Sequence, residues 1–140
     1  MFEKLYKHHI MLKFFSTGLF FIIFLIAGCN KNDVQTNNIA INVMSPAKNE
    51  KITNVSKTDI HLFVEAEEEI HKVEIKVSEV KNPENVVLNF STFVHRKTFE
   101  FQEFIDLSAF VQGTEFFLTV KACKDHDCES SENLQLPFTL

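Results

Sequence analysis

Gly113-Thr114-Glu115-Phe116-Phe117-Leu118-Thr119-Val120-Lys121-Ala122 is the stretch whose reading decides the fold. Phe116, Leu118, Val120 and Ala122 fall on one side of a period-two pattern, with Phe117, Thr119 and Lys121 on the other. Successive side chains of a strand stand on opposite faces, so the alternation describes a strand with one row buried and one row partly wet. Gly113 supplies the turn that starts it.

The same period extends outward in both directions. Towards the end of the chain Leu134, Leu136, Phe138 and Leu140 alternate again, and Pro137, which lacks a backbone donor, places that strand at a sheet edge. Upstream, Phe99 and Phe101 face inward between Thr98, Glu100 and Gln102, and Val86, Leu88 and Phe90 begin an earlier run that becomes less regular from Ser91 to Arg96. Ile39, Ile41 and Val43 form the first strand, ended by Ser45-Pro46, and a polar turn covers Ala47 to Thr58. Ile60, Leu62, Val64 and Ala66 follow, then Val73, Ile75 and Val77, with Glu67-Glu68-Glu69 breaking the alternation between them. Lys81 to Asn85 reads as a turn, and Asp106 to Phe110 as a short helical turn capped by Asp106.

One segment fits two periods. Ala66, Ile70, Val73, Val77 and Val80 also match the spacing of an amphipathic helix. The strand is preferred because a helix would leave Ile75 on the polar side, and because most of the apolar positions are β-branched. Seven candidate strands separated by turns over about a hundred residues is the count of an immunoglobulin-like or fibronectin III-like β-sandwich, so an all-β fold of that class is expected for residues 39–140.

Particular motifs point the same way. Ile41 to Pro46, Val73 to Val77, Gly113 to Glu115 with Leu118 to Ala122, and Leu136 to Thr139 together resemble the bacterial immunoglobulin-like domains of envelope proteins, and Asp125 falls close to the aspartate that ends their last motif. The resemblance covers Ile39 to Leu140 and implies a non-catalytic binding or accessory module. The chain departs from antibody domains in having no Trp, its one Tyr at Tyr6, and no cysteine pair placed to bridge the sheets. Of sixteen phenylalanines, six lie in the first 28 residues, leaving ten to supply the aromatic core.

The start of the chain has a different character. Lys4, Lys7 and Lys13 precede an uncharged apolar run from Phe14 to Ile26, too short to cross a hydrocarbon layer about 30 Å thick, as expected of a secretory signal. Leu25-Ile26-Ala27-Gly28-Cys29 resembles the lipobox of bacterial lipoproteins, with Ile26 where Leu is commonest. That resemblance implies cleavage after Gly28 and acylation of Cys29 by two or three chains, palmitate among them, enough for stable anchoring. Residues 29–38 then read as the lipidated cysteine and a polar tether, and the expected location is the bacterial cell envelope, on the outer membrane in a Gram-negative cell. Nine residues reach at most about 30 Å, so the body stays near the bilayer.

Charge and chemistry narrow the function. The 14 basic and 19 acidic residues become 11 and 18 once Lys4, Lys7, Lys13 and Glu3 are removed, a formal charge of −7, which argues against a nucleic-acid partner. With Cys29 committed to lipid, Cys123 and Cys128 are expected as a disulfide, favoured in an exported compartment. The alternative is zinc held by those thiolates and His126, a set one ligand short unless His71 joins. A second alternative is calcium: the loops after the second and sixth strands of a sandwich share one end, which would bring Glu67, Glu68 and Glu69 towards Asp125, Asp127 and Glu129. Neither a nucleophile elbow nor a His-Glu-x-x-His motif nor a phosphate-cradling glycine loop occurs, so no enzyme and no cofactor are expected. Phe63 and Phe117, on the side of their strands that should be polar, are the candidate contacts for an envelope protein or glycan. The competing reading is a structural subunit or spacer of an envelope complex.

Overall fold

The computed structural model describes residues 38–140. The expected leader, Cys29 and the tether up to residue 37 lie outside the described residues. Five strands make up the rest: β1 (Ile39–Ser45), β2 (Thr58–Glu79), β3 (Val86–Ile105), β4 (Glu115–Cys123) and β5 (Ser131–Thr139), with a single 3-10 turn at Val55–Lys57.

All the pairings between these strands are antiparallel, and β2 is their hub. Its first half, Thr58 to Ala66, lies between β1 and the second half of β3; its second half, Lys72 to Glu79, lies between the first half of β3 and β4, with β5 beyond. The sheet therefore curls, and rows from both halves meet in one core. Ile60, Leu62 and Val64 from one half and Val73, Ile75, Val77, Leu118 and Val120 from the other are all fully buried within it. Phe116 stacks on Phe138 with ring centroids 5.4 Å apart, and Phe110 meets Phe116 edge-on at 5.0 Å. Each aromatic of this kind removes 150–250 Å² from water, which is how a chain without tryptophan in this body fills its interior.

The period-two reading holds for the strands and corrects their ends. Residues 66–79 are strand, not helix, as the β-branched positions indicate, and Val80 lies just past its end. Glu67-Glu68-Glu69 does not end a strand, and neither does Ser91 to Arg96: the expected seven segments are five strands, because β2 and β3 each bend through a corner without stopping. The corner absorbs the bend through register shifts between Glu65 and Ile70 and between Ile70 and Lys72. Pro137 sits in β5, the last strand of the sheet, which has β4 as its one strand partner; its outer side is met by the 47–52 connection, where Lys51 bridges Thr139 and Asn49 N–H donates to the Pro137 carbonyl at 2.8 Å. The expected helical turn at Asp106 is instead an Asx turn, in which Ser108 N–H donates to Asp106 Oδ1 at 2.8 Å and no helix follows. The Ala47–Thr58 connection carries more than polar turn, since Ile52 is buried and its N–H donates to the Thr139 carbonyl at 2.7 Å.

Candidate functional site

The bend that joins the two halves of the sheet also assembles the one group of three metal-ligating side chains among the described residues. Ile70 pairs with Arg96 and Lys72 with Phe93, so the single residue His71 faces two, Val94 and His95. Two residues opposite one is a β-bulge, a device that re-aims side chains and sharpens the local twist. His95 takes the left-handed backbone conformation there, with φ 51°. A β-carbon costs about 1–2 kcal/mol in that region, so the bulge holds His95 against its own preference. On the other strand four residues, Ala66 to Glu69, span the distance covered by Lys97 alone, and the surplus brings Glu69 to the bulge. Glu69 Oε1 lies 2.9 Å from His95 Nδ1, and both side chains are about half exposed.

His71 belongs to the same alternating row as Val73, Ile75 and Val77, and is accordingly half-buried. Its Nδ1 is shut away from solvent and has no hydrogen-bond partner. Leaving such a group unsatisfied costs about 1–3 kcal/mol. One ligand atom each from Glu69, His71 and His95 lies within 4.8 Å of the other two.

A third imidazole arrives from elsewhere in the chain. Lys72 pairs with Cys123, so the connection between β4 and β5 leaves the sheet beside His71. Cys123 is disulfide-bonded to Cys128, which closes that connection into a short ring. Inside it the Asp125 carboxylate accepts the N–H groups of Glu129 at 3.0 Å and Ser130 at 2.9 Å. These bonds, the Ser130 amide foremost, hold the Asp125 carboxyl below the usual carboxylate range. The pinned loop carries His126, whose ring centroid stands 4.7 Å from that of His71 and 5.7 Å from that of His95. Three of the four histidines that follow residue 28 thus converge; the fourth, His61, lies apart, 3.0 Å from Glu100 Oε1. Phe93, 60% exposed, flanks both His95 and His126 at about 6 Å.

The residues singled out from sequence distribute as follows. The corner of β2 that carries Glu67–Glu69 and the β4–β5 connection that carries Asp125–Glu129 do approach each other, but it is imidazoles and Glu69 that meet. Asp125 is occupied with backbone amides, and Glu67 and Asp127 are exposed. The cysteines pair with each other, while His71 and His126, weighed as their companions on a metal, are neighbours. Phe63 and Phe117 are both partly buried and lie in separate clefts. Phe63 shares a cleft of about 460 Å³ with Phe93, Val94 and Phe99, next to the histidines. Phe117 lies in one of about 330 Å³ with Val80, Pro137 and Thr139. His95 is a member of the cluster that no spacing in the sequence singles out; its position in the irregular Ser91–Arg96 stretch is the available signal.

No protein-family model matches the chain, and no curated protein matches it.

Proposed function

We propose that the chain is a lipid-anchored protein of the bacterial cell envelope, whose β-domain is an immunoglobulin-like sandwich acting as a non-catalytic binding or accessory module. The observation that carries this reading is the order of the parts: a basic head, a short apolar run, Leu25-Ile26-Ala27-Gly28-Cys29, about nine polar residues, and then one single-core all-β body. An anchor joined by a short tether to a small body suits a module that works at the membrane surface. The strand layout supports the sandwich. With β2 and β3 each divided at the corner, the pairing of the one curled sheet falls into two sets of segments, three and four, the numbers that a fibronectin III-like sandwich would use for its two layers. The partly buried Phe63 in its cleft beside the exposed Phe93 is the surface offered to a protein or glycan partner.

The test is Cys29→Ser in the native cell. The wild type is expected in the membrane fraction, its mature amino-terminal peptide starting at an acylated Cys29, and the variant in the soluble exported fraction or retained with its leader. A wild-type protein that keeps residue 1 and carries no acyl mass on Cys29 would overturn the anchoring.

A further inference from the structure

We propose that His71, His95 and His126, together with Glu69, form a binding site for one divalent transition-metal ion of the zinc class. The site goes beyond the anchored-module reading and does not depend on it.

Ligand chemistry selects the ion. Calcium and magnesium take oxygen ligands, whereas imidazole suits zinc, copper and nickel. Three imidazoles and one carboxylate make the four-ligand set that zinc accepts in tetrahedral geometry. The distances fall in the range a small closure can complete. Ligands about 2.0–2.1 Å from a tetrahedral ion stand about 3.3 Å from one another. Glu69 and His95 are already in hydrogen-bond contact, and His71 lies with them inside the 4.8 Å group. An ion at this place would replace the hydrogen bond between Glu69 Oε1 and His95 Nδ1, each atom then turning a lone pair towards it.

Two independent observations favour an ion at this place over a chance gathering of polar groups. His71 Nδ1 is buried and, among the side chains of the described residues, is the one such polar atom without a hydrogen-bond partner, which is one of the marks of a missing ion. The four side chains also come from three separated segments, each held by its own device: the surplus residues of β2 for Glu69 and His71, the left-handed bulge of β3 for His95, and the disulfide ring for His126. His126 is exposed and lies outside the 4.8 Å group, so it is the ligand that closes over an ion already held by the other three.

The experiment uses the full chain extracted in mild detergent and purified through a tag without histidine. After removal of metal with a chelator, zinc chloride is titrated in by calorimetry, and cobalt(II) is used in parallel for its visible absorption. The expected result is one saturable site per chain, a tetrahedral cobalt spectrum displaced by zinc, and no displacement by a hundredfold excess of calcium. His71→Gln and His95→Asn are each expected to weaken binding at least tenfold; asparagine tolerates the left-handed conformation, so the bulge is kept. His126→Gln should weaken it less, and His61→Gln not at all. Circular dichroism of each variant confirms that the sheet persists. Several equal weak sites, displacement by calcium, or undiminished binding in the His71→Gln/His95→Asn double variant would overturn the proposal. Cys29→Ser protein should bind zinc like the wild type, so loss of anchoring and loss of the metal site are read separately.

Discussion

The β4–β5 face and the corner of β2 and β3 are built on opposite rules. Along β4 every residue from Glu115 to Cys123 pairs in unbroken register with β5, and its inward row is fully buried. At the corner the register slips twice between Glu65 and Lys72, a histidine sits in the left-handed region, and a buried ring nitrogen has no partner. Natural sequences agree across local propensity, pattern and packing except where function demands otherwise. The regular face accounts for why the chain folds, and the irregular corner for what the fold holds in place.

The sharpest way to break this contrast is to substitute one inward-facing residue from each region. Phe116→Ala removes a fully buried ring that touches both Phe110 and Phe138, and is expected to cost about 3–5 kcal/mol in denaturant unfolding. His71→Leu in metal-free protein replaces a buried unpaired nitrogen by an apolar group of similar size, so stability should be unchanged or rise, by up to about 1–3 kcal/mol. Equal losses at the two positions would show that the corner contributes to folding as the face does.

The disulfide lies where the two regions meet. Changing Cys123 and Cys128 together to Ser opens a ring of six residues, an expected loss of about 2 kcal/mol on the loop-entropy account. Because the same ring presents His126, the variant should also bind zinc more weakly than the wild type. A smaller effect is expected within the bulge itself. His95→Gly relieves the left-handed backbone and should raise the stability of the metal-free protein by up to about 1 kcal/mol, while the zinc-induced rise in Tm disappears. A stabilised variant that has lost its ligand response is what a strained functional position predicts, and a destabilised one would argue that His95 serves the fold.

The strands were legible because one face of each is buried. Ile60, Leu62 and Val64, or Phe116, Leu118 and Val120, leave no other period that keeps them together. Continuity through the corner was harder to read. Glu67-Glu68-Glu69 and Ser91 to Arg96 lose their alternation, and a lost alternation looks the same whether the chain turns back or bends on. The absence of glycine and proline from both stretches was the clue that neither is a tight turn. The histidine cluster was only half legible. His71 and His126 were paired as candidates, but His95 joins them through a bulge, and a bulge is a property of two strands aligned in space. Asp106 illustrates the limit on a smaller scale, because an aspartate followed two residues on by serine reads equally as a helix cap and as an Asx turn.

That Asp106 turn gives the smallest and most local test, at a loop well away from the corner. Its hydrogen bonds from Ser108, side chain first and backbone second, hold the carboxyl below the usual carboxylate range. A carboxylate depressed in the fold binds fewer protons there than in the unfolded chain, whose value is about 3.9. Its contribution to stability is therefore complete above that value and is lost as pH falls through the lower, folded one. The Ser108 amide resonance should accordingly titrate below the value of an unfolded aspartate, and Asp106→Asn should abolish the titration while leaving zinc binding untouched. An amide that titrates with the value of a free aspartate would mean the turn is not held by its side chain. A change in zinc affinity would mean that the corner is not as separate from the rest of the sheet as its geometry indicates.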